Sequence, residues 1–213
     1  MRRSLAVLSL AAAAALLAAC TATAPTAAPA PSETTTATAP SPSDNRLIVG
    51  IQAVAYAHDG DTTVVSYTES QQLQDLLRSI SDQDPKQATV DGPPGYDMQM
   101  TRYDYGGISL LSGSDGRASI TVETATFHGV PVTTQEGIAV GSTRADAVDA
   151  GARDGYDQNG DGVADWLDLG SVEITGTQSL VNPGSVGIQF VMLGLDGDTV
   201  RELQAPANDF SDL

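Results

Sequence analysis

The chain of 213 residues carries 10 basic and 27 acidic side chains, a formal balance of −17 at pH 7, and a single cysteine. Such an acidic surface argues against nucleic acid or anionic lipid headgroups as partners, because both need a basic face; it suits divalent cations, a basic protein, or simply a solvated exterior. One cysteine excludes an internal disulfide and a thiolate metal cluster.

Residues 1–19 have the parts of an export signal: Arg2 and Arg3, an apolar run over 5–19, and small residues before Cys20. The run, mostly alanine, falls short of the ~20 apolar residues that span a bilayer. Residues 21–44 are almost wholly Thr, Ala, Pro and Ser, with Glu33 and Asp44 as their charges. They lack any aliphatic side chain larger than alanine, so no core can form, and proline biases them toward extended conformations; a spacer is expected. Loss of 1–19 removes Arg2 and Arg3, leaving 8 basic against 27 acidic residues, or −19, with Lys86 the one lysine.

Leu17-Ala-Ala-Cys20 resembles the lipobox of bacterial lipoproteins. That resemblance implies a diacylglyceryl group on the Cys20 thiol, Cys20 as the mature first residue, and a chain held by lipid on the outer face of the cytoplasmic membrane. Each buried methylene of such an anchor contributes about 0.8 kcal/mol.

The expected fold class is α+β over residues 46–213, 168 residues, as one domain with a sizeable core or as two small packed units. A strand at 47–56 is followed by a turn at 58–61 and a strand at 62–67. Thr68 or Ser70 can cap a helix running to about Ser81, in which Leu73, Leu76, Leu77 and Ile80 recur at helical spacing and which Asp84-Pro85 ends. After a polar loop with Gly92-Pro-Pro-Gly95 come a strand at 99–105 and a hairpin, 107–112 with 118–127, turning at Ser114-Asp-Gly116. Gly129-Val-Pro-Val-Thr133 leads to Gly137-Ile-Ala-Val-Gly141, the N-cap pair Ser142-Thr143, and a short helix marked by Ala145, Ala147, Val148 and Ala152. A strand at 171–176 precedes a second hairpin, 186–194 with 199–204, turning at 195–198.

The hairpins open alike, Gly107-Ile-Ser-Leu-Leu and Gly187-Ile-Gln-Phe-Val, and turn on Asp115-Gly116 and Asp196-Gly197. This predicts a tandem repeat of helix then antiparallel sheet, with units 46–136 and 137–213, although Asp-Gly turns are common in any antiparallel protein. The segment Gly137-Ile-Ala-Val-Gly-Ser-Thr-Arg-Ala-Asp-Ala-Val148 resembles uncharacterised actinobacterial lipoproteins. More remotely it is similar to the helix-plus-sheet repeats of the beta-lactamase-inhibitor and outer-membrane-assembly small lipoprotein groups. Those groups bind another protein on the sheet face; no inhibitor contact residue carries over.

One stretch spaces oxygen ligands as a hard cation needs them: Asp157-Gln-Asn-Gly-Asp-Gly-Val-Ala-Asp-Trp-Leu-Asp168. Calcium takes six to eight oxygens, and a 12-residue loop supplies them from positions 1, 3, 5, 7, 9 and 12. Those positions hold Asp157, Asn159, Asp161, Val163 through its carbonyl, Asp165 and Asp168, with Gly162 at the sharp turn. Aspartate at position 12 has a shorter arm than the usual glutamate, which predicts weaker binding. The string resembles a type 3 thrombospondin calcium repeat and, less closely, a dockerin loop, and the resemblance assigns the same ligands. A single copy without a following helix points to a structural site, with Trp166 and Leu167 packing beneath the ion.

Elsewhere the chemistry is thin. His58 lies beside a turn and His128 at a strand end, Asp59 and Asp61 belong to a turn, and there is no Gly-x-Ser-x-Gly elbow or phosphate loop. Tyr96, Tyr103, Tyr105 and Tyr156 suit core or rim packing. The expectation is a non-enzymatic, membrane-tethered extracytoplasmic module that binds a cell-envelope protein and carries one structural calcium ion. Its rival is a cell-envelope hydrolase or an enzyme inhibitor using the sheet face, with carboxylates or His128 taking part.

Overall fold

The structure, a computed structural model, describes residues 45–92 and 99–210. The expected export signal, Cys20, the expected spacer, the Gly-Pro-Pro-Gly loop from residue 93 and Tyr96 lie outside the described residues. None of the helices among the described residues is long and apolar enough to cross a membrane.

The first expected strand is two. Strand β1 (Arg46–Val49) ends at Gly50, whose N–H donates to the Ala53 carbonyl at 3.0 Å, and β2 (Ala53–His58) runs back beside it. The apolar run hides this break, because its glycine reads as one weak position in a strand. Asp59 and Gly60 both have positive φ, 51° and 88°, the paired conformation of a type I′ hairpin, and β3 (Asp61–Ser66) follows.

Helix α1 (Ser70–Ser81) buries Leu73, Leu76 and Leu77, each contributing roughly 1.5–3 kcal/mol of transfer free energy. Its N-cap is Glu69, with no side-chain cap bond, in place of the expected Thr68 or Ser70. The Thr68 hydroxyl is paired with the Ser66 hydroxyl, and the Ser70 N–H donates to the Gly116 carbonyl. Asp82 closes the helix in the left-handed conformation, φ 52°.

Strand β4 (Lys86–Asp91) occupies what reads as a polar loop. Its side chains are almost all exposed, so no apolar alternation marks it. It pairs with β5 (Gln99–Asp104), and β6 (Ile108–Ser112) and β7 (Ala118–Val122) form the expected hairpin. The predicted continuation to Phe127 is interrupted: β8 (Thr126–Phe127) leaves this sheet to pair with β9 (Val130–Thr134). Tyr105 is buried, donates its hydroxyl to the Gln74 carbonyl at 3.2 Å, and is pushed by burial to a pKa of about 12.

Helix α2 (Arg144–Asp149) begins as expected at Thr143. The Thr143 hydroxyl accepts from the Asp146 N–H at 3.1 Å and the Asp146 carboxylate accepts from the Thr143 N–H at 2.9 Å, a reciprocal capping box. Strands β10 (Arg153–Asp154), β11 (Trp166–Glu173), β12 (Ile188–Asp196) and β13 (Thr199–Asn208) follow.

Among the described residues there are thus two helices and two sheets, so the α+β class holds only loosely and the fold is mostly β. The smaller sheet runs β3-β2-β1-β9-β8, with β1 and β9 parallel; the larger runs β10-β11-β12-β13-β7-β6-β5-β4 and is antiparallel throughout. Each helix is followed by four antiparallel strands, and the two sets meet where β13 pairs with β7 through Leu203–Val122, Gln204–Thr121 and Ala205–Ile120. One cluster of buried apolar side chains joins the sheets, from Leu47, Val49 and Val132 on one to Leu110, Ile120, Leu167, Leu193 and Leu203 on the other.

Candidate functional site

The loop from Gly155 to Asp165 links β10 to β11. Its base is closed by N–H bonds of Gly155 to the Trp166 carbonyl, 2.9 Å, and of Asp165 to the Tyr156 carbonyl, 2.9 Å. The loop is built from within by its acidic side chains. Asp157 accepts from the N–H groups of Gly160, 2.7 Å, and Gly162, 2.8 Å. These bonds, that of Gly162 foremost, hold its carboxyl below the usual aspartate range. The Asn159 side-chain oxygen accepts from Asp161 N–H at 2.9 Å, and Asp161 from Val163 N–H at 2.8 Å. Asp165 caps the N–H groups of Gln158, 2.8 Å, and Asn159, 3.2 Å. Gly160 and Gly162 take positive φ, 75° and 89°, and Gly162 therefore stands where the sequence requires a residue without a Cβ.

Five of the six expected ligands lie in this one loop. Asp168 does not: it sits on β11, opposite Arg153 on β10 and Met192 on β12. Gly155 admits it, because a Cβ there would come within 2.7 Å of an Asp168 carboxylate oxygen. Burial, with the negative charge of Asp209 second, pushes the Asp168 pKa up to about 6. Among the described residues no group of three or more His, Cys, Asp or Glu is gathered as a metal cage. By donor chemistry the loop still suits a hard cation, since every donor is oxygen and a carboxylate that accepts one N–H keeps further lone pairs.

Trp166 and Leu167 divide between the two sides of the sheet. Leu167 is fully buried in the core, while Trp166 is half-buried on the opposite side. There the ring lies over Gly194, where a Cβ would meet it at 2.8 Å, and its indole N–H reaches the Gln158 side-chain oxygen at 3.4 Å. The register pairs Trp166 with Gly194 and Gly194 with Glu202, then jumps to Leu195 with Val200, so Arg201 is the extra residue of a bulge. The bulge re-aims Arg201, whose guanidinium carbon stands 5.3 Å from the Trp166 ring centroid while its Nη2 pairs with the Glu202 carboxylate at 2.8 Å. The result is a shallow Trp166–Arg201–Glu202 patch beside the loop. Sequence reading misses Arg201 and Glu202, although one signal is there: two charged residues in succession between Val200 and Leu203 break the alternation of a strand.

Arg144 fastens the loop from behind. Its Nη2 donates to the Ala164 carbonyl, Nη1 lies 3.4 Å from Asp154, and Nε lies 3.4 Å from Asp198 in the β12–β13 turn, close enough for Coulomb attraction but without hydrogen-bond alignment.

The other candidates scatter. His58 stacks on Tyr56 with ring centroids 5.5 Å apart and lies 3.2 Å from Asp59, and His128 sits edge-on to Phe127 at φ 48°. Tyr103 packs against the core and Tyr156 is exposed. No protein-family model matches the chain, and neither a curated protein nor a solved structure matches it.

Proposed function

We propose that this chain is a lipid-anchored extracytoplasmic interaction module rather than an enzyme, docking a cell-envelope protein on the outward side of the larger sheet. The observation that carries the reading is the Trp166–Arg201–Glu202 patch: tryptophan and arginine on a rigid sheet are the residue types that dominate protein contacts. The acidic balance of the chain favours a partner with basic residues around that contact. Cys20 carries the lipid in this reading, and the tract 21–44 spaces the domain from the bilayer. Residues 46–136 and 137–213 are read as tandem units that share a helix plus four strands, the first carrying β1–β3, β8 and β9 besides; the mirrored order of the shared strands on either side of the β7–β13 pair supports this.

A photocrosslinking side chain placed at Arg201 in the native envelope tests the function. One defined protein adduct, lost when Trp166 is changed to alanine, is expected; absence of any adduct from position 201 overturns the reading.

Calcium belongs to the same proposal as a rim support. Asp157, Asn159, Asp161, the Val163 carbonyl and Asp165 would hold it, with Asp168 the least accessible donor; bound calcium would neutralise the clustered carboxylates. Extracellular sites of this kind bind at about 10⁻⁴ to 10⁻³ M, so saturation to ten times the dissociation constant adds about 1.4 kcal/mol and roughly 3–6 °C to Tm. Asp161→Ala should erase that shift. A wild-type melting temperature indifferent to 10 mM calcium would remove the ion from the proposal and leave the docking patch standing.

A further inference from the structure

Among the described residues four strands end the two sheets, and three are guarded against pairing by their shortness or by a charge at each end. Strands β8 and β10 are two residues long, and β4 carries Lys86 and Asp91 at its ends. Strand β3 is the least protected of the four among the described residues: it is six residues long, pairs with β2 in an unbroken register, and is charged only at Asp61 beside the turn, after which it reads Thr-Thr-Val-Val-Ser, uncharged and mostly β-branched. Because His58 and Asp61 flank a two-residue turn, they form the hydrogen-bonded pair, and alternation turns the N–H and C=O groups of Thr62, Val64 and Ser66 to the open edge. The Ser66 carbonyl confirms the phase, since it accepts from the Glu69 N–H at 3.0 Å outside the sheet. Val64 is 64% exposed and forms the rim of an apolar groove of about 440 Å³ lined also by Ile48, Ile51, Ala55 and Val172.

We infer that β3 is a self-pairing edge: two copies of this chain join antiparallel about Val64, with Val64 opposite Val64 and Thr62 opposite Ser66 of the other copy. The strip is self-complementary under a two-fold axis, apolar against apolar at its centre and hydroxyl against hydroxyl on either side, with no ionised side chain between Asp61 and Glu69. Pairing satisfies the open backbone groups, covers both Val64 side chains and joins the two grooves. The contact area is that of one strand and a groove rim, at the low end of specific interfaces below about 1,200 Å², so the dimer is weak. At each end of the ladder Asp61 of one copy falls opposite Tyr67 of the other, with Glu69 two residues on, and both chains are strongly negative; salt, which screens such charges within about 8 Å at physiological strength, strengthens the dimer. This surface depends on neither calcium nor the Trp166 patch.

The register is tested by cysteine placement in the full chain with Cys20→Ser, which leaves the introduced thiol alone. Val64→Cys, at an exposed site, puts the two Cα atoms about 5.5 Å apart in a hydrogen-bonded pair, within disulfide reach. Thr62→Cys separates its two copies by four residues, about 13 Å along the strands, beyond that reach. Under glutathione disulfide at 50 µM chain, Val64→Cys should give a dimer whose yield rises severalfold from 20 to 500 mM NaCl, with Thr62→Cys at least tenfold lower. Any association through the N-terminal apolar run would act on both variants alike. Equal yields from the two, no Val64 disulfide, or a yield that falls with salt overturns the inference. So does protection of the Thr62 and Val64 amides against exchange only when a different protein is added.

Discussion

Arg144→Ala should lower unfolding stability by about 2–3 kcal/mol, read as a fall in the urea midpoint with an unchanged slope. The side chain is 19% exposed and its guanidinium bonds the Ala164 carbonyl at the exit of the acidic loop. Truncation strands that carbonyl and removes the packing of the aliphatic stem. Asp154 and Asp198, 75% and 88% exposed, regain water at little cost, so most of the loss comes from the carbonyl and the stem. Arg144→Lys should recover less than half, because one ammonium cannot address the loop, β10 and the β12–β13 turn together. A loss under 0.5 kcal/mol would mean that the loop holds its shape without the clamp.

Asp168→Asn should stabilise the calcium-free protein above pH 7 and leave it unchanged near pH 3. The folded pKa of about 6 lies above the ordinary 3.8, so the fold favours the neutral carboxyl. Below 3.8 the group is protonated in both states and contributes nothing. Between 3.8 and 6 the unfolded chain ionises first and stability falls with rising pH; above 6 the penalty is complete. The two-unit shift corresponds to about 3 kcal/mol, and partial exposure reduces this to about 1–2 kcal/mol. Urea melts of both proteins in a chelator at pH 3, 5 and 8 check the sign: a gap that shrinks with rising pH contradicts it. Millimolar calcium should narrow the gap at pH 8 if Asp168 reaches the ion.

Legibility in the sequence followed how local the cause was. Leu73, Leu76 and Leu77 mark α1 because helical spacing alone buries them, and Thr143 with Asp146 marks α2 because the capping box spans four residues. Asp196-Gly197 and Asp115-Gly116 mark turns for the same reason. Features set by distant partners were hidden. Lys86–Asp91 becomes a strand only because β5 is beside it, and nothing in its own polar side chains requires that. Gly50 ends β1 through one bond to Ala53 inside a run whose one polar side chain is Gln52. The loop spacing Asp157, Asn159, Asp161 was readable, whereas the loss of Trp166 and Asp168 to a strand follows from pairing with Gly194 and Met192, which lie more than twenty residues on. Arg201 joins Trp166 only through a bulge against Gly194, a fact of register rather than of composition.

The seam between β7 and β13 bears on how the chain comes to be folded. The strand that closes the larger sheet, β13, comes last among the described strands, and its partners Ile120 and Val122 are about eighty residues earlier. Pairing across such a separation is slow, because the intervening chain must be ordered before the contact repays it. Until residues 199–208 arrive, β7 and β12 are both open edges with buried-type side chains in the water, and a chain cut short before them should aggregate rather than fold with one strand missing. Nascent copies are therefore most vulnerable until residues 199–208 have been added, which makes these ten residues the step that commits the sheet to its native state.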